Sequence, residues 1–292
     1  MTTLPIVLAH GIARFDILTV ILRQKLNLPE DNLSEQFQYF KGIKSNLEAH
    51  GFSVSHPNQD FSGSVDLRAE QLRDRVNDVL QASGVAKVHI IAHSMGGLDA
   101  RHMIVDKGMA DRVATLTTIA TPHRGSPVAD RIEQPGGALL LHALTQVLHL
   151  NVDGVGDLTT NECEQFNRRA EDAEAKNAVG YQTYSSWENL HDVFAPLALS
   201  WLIVRERDGR NDGLVSVRSQ EWARDLIAND GTRKPIVQQQ FPFPADHLNE
   251  VGWWDPQEVI HPLFGGGSIV KQALDYEQRV RDLYLQIAQS LP

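Results

Sequence analysis

Cysteine is almost absent from this sequence, and Cys163 is the single one among 292 residues. A lone cysteine excludes an intramolecular disulfide and any metal site that needs several thiolates. Such a chain suits a reducing compartment. Its stability must come from a packed core, and 292 residues suffice for one large domain.

Long apolar runs and an excess of positive charge are missing as well. No stretch approaches the ~18 consecutive apolar residues of a membrane-spanning helix, and the apolar run at residues 4–9 is too short for a signal peptide. We therefore expect a cytoplasmic protein, or a secreted one whose sequence starts at a mature N-terminus. The formal net charge of -10 disfavours nucleic acids and anionic membranes as partners, but not a neutral lipid–water interface. No pattern in the sequence indicates an oligomeric state.

Repeats and domain linkers are absent too, and what remains is an alternation of short apolar runs with amphipathic segments. Buried strands are predicted at residues 6–9, 85–92, 113–120, 199–204 and 237–241. Helices are predicted at residues 65–82, where Gly84 ends the helix, at 98–107, and from 269 onward. This alternation predicts a single α/β domain over residues 1–292, with a mostly parallel sheet flanked by helices.

Residues 127–180 interrupt the alternation. Within them, residues 139–150 are apolar on nearly every side of a predicted helix, and such a helix must be buried against something. We predict that 127–180 is an insertion above the sheet that forms a helical lid or cap. The sequence leaves open whether this segment moves or stays packed.

Ser94 is the predicted nucleophile. It lies in residues 92–96 (AHSMG), between a predicted strand and a predicted helix, which is the context that the G-x-S-x-G nucleophile elbow requires. A strained turn exposes the serine hydroxyl, and small residues on both sides let strand and helix approach. Ala92 replaces the first glycine with one methyl group, and Gly96 keeps the second. The alternative is a serine that only caps a helix.

A serine nucleophile of this kind needs an acid and a histidine base, which follow it in that order. Asp212 lies in a glycine-rich turn after the predicted strand 199–204, and Asp208 is its nearest rival. Of the twelve histidines, His247 has the right order and lies in a loop after a candidate strand. His261 also follows the acid, but its apolar context indicates packing. We interpret three further histidines near the motifs as structural: His10, His93 and His123.

The oxyanion of an acyl-transfer reaction needs two backbone donors. One is predicted to be the N–H of Met95, directly after the nucleophile. The other is predicted to be the N–H of Ile12, which follows the His10-Gly11 turn. Because both groups belong to the backbone, the side chains at these two positions are free to be apolar.

Several blocks of this sequence, taken together, resemble the bacterial lipases of the α/β-hydrolase superfamily, particularly the true lipases of Pseudomonas and Burkholderia type. The blocks are residues 5–12 (PIVLAHGI), 92–97 (AHSMGG), 121–126 (TPHRGS), 211–215 (NDGLV) and 246–250 (DHLNE). The resemblance implies a triad of Ser94, Asp212 and His247, and the NDGLV block favours Asp212 over Asp208. It also implies a triacylglycerol lipase or lipase-like esterase that forms an acyl-enzyme and needs no cofactor.

The sequence departs from this family at its calcium site. Lipases of this type often hold a structural calcium ion with an aspartate two residues after the catalytic histidine, but Asn249 takes that position here and is a weaker ligand. Trp253 stands where a further side-chain oxygen is expected, and Asp192 is the candidate for an upstream acid. We therefore expect no calcium ion. The family's disulfide is absent as well.

Two alternative functions follow from the same residues. A thioesterase or an amide-cleaving hydrolase would use the same triad on a different bond. A non-catalytic α/β-hydrolase module would only bind a ligand or partner, but such relatives usually lose a triad residue, and all three are present here. The natural ester and its chain length are not determined by the sequence.

Overall fold

The computed structural model describes residues 4–11, 39–56, 63–148, 154–253 and 269–292. Its strands are β1 (Ile6–Ala9), β2 (Val54–Ser55), β3 (Val88–His93), β4 (Val113–Ile119), β5 (Gly180–Ser185), β6 (Asp225–Ile227), β7 (Arg233–Pro235) and β8 (Val237–Gln240). Six of them form one parallel sheet in the order β2-β1-β3-β4-β5-β8. Strands β6 and β7 form a separate antiparallel pair.

Helices cover both faces of this sheet. They are α1 (Ile43–Ala49), α2 (Val65–Ser83), α3 (Met95–Asp106), α4 (Pro127–Ile132), α5 (Ala138–Leu148), α6 (Thr160–Lys176), α7 (Ala198–Asp208), α8 (Val217–Gln220) and α9 (Ile269–Ser290). Successive residues of a strand point to opposite faces. Accordingly, Ile6 and Leu8 of β1 pack in one core with α1 and α9, whereas Val7 and Ala9 pack in the other with α2 and α3. The predicted fold, a mostly parallel sheet flanked by helices, is confirmed.

The strand predicted at residues 199–204 is wrong, because this segment lies in helix α7. Ser200 and Val204 are fully buried and lie four residues apart, which is one turn of a helix, while Leu199 and Leu202 are 54% and 49% exposed. A short apolar run does not by itself distinguish a strand from a helix. Asp212 therefore follows a helix in the chain.

Strand β5, by contrast, is one that the sequence pattern did not predict. Its buried side chains are those of Tyr181, Thr183 and Ser185, so its inward face carries hydroxyl groups where a buried strand usually carries aliphatic ones. Its place between β4 and β8 brings the residues that follow it to the carboxyl end of the sheet. Loops at this end of an open parallel sheet are where such folds bind ligands.

Segment 127–180 contains α4, α5 and α6 and ends where β5 begins. In α5, Leu140 and Leu144 are buried while Leu139 is 82% exposed. The prediction that this segment is a lid stays a prediction. Within the ranges given above, no helix is both long enough and apolar enough to cross a membrane.

Candidate active site

Ser94 occupies a strained turn between β3 and α3. Its backbone has φ 57° and ψ -134°, a left-handed φ that is rare outside glycine. The turn is held from both sides, because the Ser94 N–H donates to the Ile119 carbonyl at 2.9 Å and Thr121 Oγ1 donates to the Ser94 carbonyl at 2.8 Å. A Cβ added to Gly96 would lie 2.6 Å from the Ala9 carbonyl oxygen, so the elbow requires glycine there.

The structure brings Ser94, His247 and Asp212 into one chain of hydrogen bonds. His247 Nε2 lies 2.8 Å from Ser94 Oγ, and His247 Nδ1 lies 2.8 Å from Asp212 Oδ2. A carboxylate only accepts, so Nδ1 carries the proton and Nε2 is left to accept from the serine hydroxyl. Ser94 is 6% exposed, His247 is 4% exposed and Asp212 is 0% exposed. This arrangement can activate a serine hydroxyl as a nucleophile.

The Asp212 carboxylate is fixed by its own turn. Oδ1 accepts from the N–H groups of Leu214 and Val215 at 2.8 and 2.7 Å, which is an Asx-type turn. Gly213 has φ 102°, a conformation that L side chains rarely adopt. The rival carboxylate, Asp208, instead accepts from Ser216 Oγ at 3.2 Å.

A second buried carboxyl group, that of Glu250, lies beside the histidine. Glu250 Oε2 is 2.8 Å from His93 Nε2 and 3.6 Å from His247 Nδ1. Burial raises the pKa of Glu250 well above its usual value, and the Asp212 carboxylate raises it further. Burial also lowers the pKa of His93, with a smaller effect from charge on His247. Both directions favour the neutral forms of the two side chains.

His93 continues this network towards the N-terminal turn. Its Nδ1 lies 2.7 Å from the hydroxyl of Tyr39. That hydroxyl would lie 2.7 Å from a Cβ added to Gly11, and Ser94 Oγ would lie 3.0 Å from the same atom. Gly11 therefore lets the chain pass directly against Ser94, which a side chain at position 11 would prevent.

Both predicted oxyanion donors stay predictions. Met95 begins α3, and N–H groups in the first turn of a helix have no partner inside the helix. This position is compatible with the predicted role. Ile12 lies outside the described residues, so its role stays a prediction.

The histidines interpreted as structural make contacts within the protein. His10 Nδ1 contacts the Gly11 carbonyl at 2.9 Å, and His123 stacks on Trp222.

A small apolar cavity opens beside Ser94. Its volume is about 60 Å³, and Ser94 and His247 form part of its wall. The apolar wall consists mainly of Val128, Ile132, Leu144, Val155, Leu158 and Leu214. Most of these residues belong to segment 127–180. A cavity of about 500 Å³ lies elsewhere and is lined by charged side chains, but it includes neither Ser94 nor His247.

The residues at the predicted calcium position do not fit a calcium ion. Asn249 uses its amide within the protein, since Oδ1 accepts from the Asp246 N–H at 3.2 Å and Nδ2 donates to the Trp253 carbonyl at 2.8 Å. Among the residues that the structure covers, His93, His247 and Glu250 form the one group of three or more His, Cys, Asp or Glu side chains with ligand atoms close enough together for a metal. Asp192 is not part of that group.

Sequence reasoning gave no role to three residues of this site, namely Tyr39, Gln220 and Glu250. For Glu250 a signal existed, because it lies only three residues after His247, and the turn that leads into the short 3-10 helix Asn249–Val251 brings the two side chains together. Tyr39 lies far along the chain from His93, which it contacts. Gln220 is only eight residues from Asp212, but the Ser186 N–H that orients its amide lies far earlier in the chain. No local pattern marks them.

Comparison with known proteins places the chain among hydrolases. The family model described as alpha/beta hydrolase fold matches residues 5–229. Triacylglycerol lipase 2 of Saccharomyces cerevisiae is 28% identical, over 98% of this chain and 90% of the yeast protein. A triacylglycerol lipase of Burkholderia plantarii is 37% identical, over 45% of this chain and 33% of its own length. The solved structure of mature Bacillus licheniformis lipase BlEst2 has a TM-score of 0.59 at 17% identity, over 84% of this chain and 85% of that one.

These matches agree with the geometry of the site. The family model spans the strand, turn and helix that carry Ser94, and it also includes Asp212. The likeness to BlEst2 reflects a shared fold, and the yeast lipase aligns along nearly the whole chain. The chain belongs to the α/β hydrolase fold family, and it is a lipase-like carboxylic ester hydrolase.

Proposed function

We propose that Ser94, His247 and Asp212 are the catalytic triad and that the substrates are triacylglycerols or similar acyl esters. The observation that carries this proposal is the unbroken hydrogen-bond chain from Ser94 Oγ through His247 to Asp212 Oδ2. It is buried below an apolar cavity, as an acyl ester requires.

The reaction proceeds in two halves. Ser94 Oγ attacks the ester carbonyl carbon while His247 Nε2 takes its proton, and the resulting tetrahedral intermediate collapses when the same proton passes to the leaving alcohol. Water then attacks the acyl-enzyme carbonyl while His247 takes one of its protons, and the bond to Ser94 Oγ breaks as this proton passes to Oγ, which releases the carboxylic acid. Asp212 stabilises the imidazolium in both halves. The N–H groups of Met95 and Ile12 bind the oxyanion.

Two observations support a lipid ester as the substrate. The wall of the cavity beside Ser94 is mainly aliphatic, so it suits an acyl chain rather than a polar one. The yeast and Burkholderia relatives are named as triacylglycerol lipases. The match to the Burkholderia protein also supports the closer resemblance to lipases of Pseudomonas and Burkholderia type. Segment 127–180 supplies much of the cavity wall and is the proposed lid.

The test combines active-site labelling with a set of substrates. A fluorophosphonate should label Ser94, identified by mass spectrometry of the digested protein, and the Ser94→Ala variant should stay unlabelled. The purified enzyme should hydrolyse tributyrin and trioctanoin emulsions. Faster turnover of an acyl thioester or of an acyl p-nitroanilide than of the matched p-nitrophenyl ester would overturn the proposed substrate class. Labelling at another serine would overturn the mechanism.

Calcium removal is expected to leave the enzyme unchanged, because the Asn249 amide bridges Asp246 and Trp253 without a metal. A calcium ion present at 100 times its Kd would stabilise the fold by ~2.7 kcal/mol, which is several degrees in Tm. We expect the Tm in EDTA to match that in CaCl₂ within about 1 °C. The comparison variant is Asn249→Asp, which loses the donor to Trp253 and should melt lower. A Tm that falls in EDTA and recovers with CaCl₂ would contradict this prediction.

A further inference from the structure

We propose that Gln220 is a positioning residue for catalysis, which holds the Asp212 carboxylate in the orientation that His247 needs. This inference rests on the proposed triad. Gln220 would be a fourth residue that acts together with the triad. It lies on the single-turn helix α8, and no catalytic sequence motif surrounds it.

The side-chain amide of Gln220 touches the acid directly. Its Nε2 donates to Asp212 Oδ2 at 2.9 Å and to the Val215 carbonyl at 3.0 Å. Asp212 Oδ2 is also the oxygen that accepts from His247 Nδ1. Gln220 is fully buried, so no water replaces these contacts if the amide is lost.

The surroundings of Gln220 determine which way its amide faces. The Ser186 N–H donates to Gln220 Oε1 at 2.7 Å, and a backbone N–H can only donate. The amide oxygen must therefore face Ser186, and the nitrogen must face Asp212 and Val215. Each of the two N–H groups of the amide then has an acceptor. No other side chain of similar length is neutral, donates twice and accepts once in this geometry.

Gln220 completes the restraint on the carboxylate. The N–H groups of Leu214 and Val215 hold Oδ1, and these two bonds leave Oδ2 to be fixed by Gln220 and His247. A competing carboxyl is close, because Glu250 Oε2 lies 3.6 Å from His247 Nδ1. With Oδ2 held by Gln220, the imidazole keeps Nδ1 on Asp212 and Nε2 on Ser94.

Strand β5 anchors this residue to the sheet. Thr183 Oγ1 donates to the backbone carbonyl of Gln220 at 2.6 Å, and Ser186 holds its side chain. Helix α8 is capped by Ser216, whose Oγ accepts from the Ser219 N–H at 3.2 Å. The position of Gln220 is thus set by the protein framework, so its effect on Asp212 does not depend on bound substrate.

The experiment compares Gln220→Met with Thr115→Val. Methionine keeps the length of the side chain and removes the amide, which we expect to lower kcat about 10- to 100-fold for a p-nitrophenyl ester with KM within about twofold, as loss of a hydrogen bond to a charged group would. Thr115→Val removes a buried hydrogen bond to His89 that touches neither Gln220 nor Asp212, so it should lower Tm comparably yet keep kcat within about twofold of wild type. Gln220→Asn keeps an amide that no longer reaches Asp212, and it should lose kcat as the methionine variant does.

A double-mutant cycle separates positioning from a purely structural effect. In an Asp212→Ala background, Gln220→Met should change the remaining kcat less than about twofold, because Gln220 acts through Asp212. An equal loss in both backgrounds, or wild-type kcat in Gln220→Met and Gln220→Asn, would overturn the inference. If Ser94→Ala or Asp212→Ala keeps full activity, the proposed triad itself fails, and that result is distinct.

Discussion

Replacement of His247 by alanine is expected to lower kcat for ester hydrolysis by about 10⁴- to 10⁶-fold. In the proposed mechanism the imidazole takes the Ser94 proton and returns it to the leaving alcohol, and its Nε2 lies 2.8 Å from Ser94 Oγ. Ser94→Ala should fall in the same range, and the double variant should be no worse, because the two residues act as a unit. KM should change little. Steady-state kinetics with a soluble p-nitrophenyl ester measures all of these values.

The controls use residues of the same type at other positions. His191→Ala changes an exposed loop histidine and should leave kcat within about twofold of wild type. Asp212→Ala should lose about 10³- to 10⁴-fold, since the base would then lack its partner, while Asp208→Ala should not. Retention of more than a few per cent of kcat in His247→Ala would contradict the assigned base. Loss of activity in Asp208→Ala alone would reassign only the acid.

The elbow at Ser94 could be predicted because its requirements are local. A buried strand, a small residue on each side of the serine and a following helix are all contiguous in the sequence, and the left-handed φ of 57° is the result of that sharp turn. The order of acid and histidine along the chain left Asp208 and His261 as rivals, and the NDGLV block and the loop position of His247 then favoured Asp212 and His247. Their contact distances could not be predicted, because they depend on loops far apart in the sequence.

The errors have physical causes that are equally specific. The apolar run at 199–204 predicts a strand, yet it forms the partly exposed helix α7, since only Ser200 and Val204 face the core. Strand β5 was not predicted, because the side chains on its buried face carry hydroxyl groups and do not form an apolar run. Gln220 was not predicted, because the orientation of its amide depends on Ser186, which lies just after β5 and far earlier in the chain.

Arg68 is a further residue whose environment could not be predicted from the sequence. The predicted apolar stripe of α2 includes Val65, Ala69 and Leu72, and Arg68 lies on the same side of the helix by spacing. Charged side chains are rarely fully buried unless they are paired, so the residue type favours an exposed arginine although the spacing places it on the buried side. In the structure Arg68 is fully buried, because Asp99 of α3 supplies the opposite charge.

We therefore expect Arg68→Met to lower the free energy of unfolding by about 3–5 kcal/mol, as removal of one partner of a buried ion pair does. Arg68 Nη2 lies 2.6 Å from Asp99 Oδ2 and also donates to the His10 carbonyl at 2.8 Å. The substitution leaves Asp99 buried without its countercharge. It also releases the peptide that precedes Gly11, so activity should fall with stability. Urea denaturation followed by tryptophan fluorescence measures the change.

Two further variants test whether the loss of stability in Arg68→Met comes from the burial of the ion pair. Arg73→Met, on the same helix, removes an exposed ion pair with Asp74 and should change the free energy of unfolding by no more than about 0.5 kcal/mol. The double variant Arg68→Met/Asp99→Leu replaces the buried pair by apolar groups and should regain most of the lost stability, because no uncompensated charge remains. Its activity should stay low, since the bond to the His10 carbonyl is still missing. A loss below about 1 kcal/mol in Arg68→Met would contradict the prediction. Recovery of both stability and activity in the double variant would mean that Arg68 serves only to neutralise Asp99.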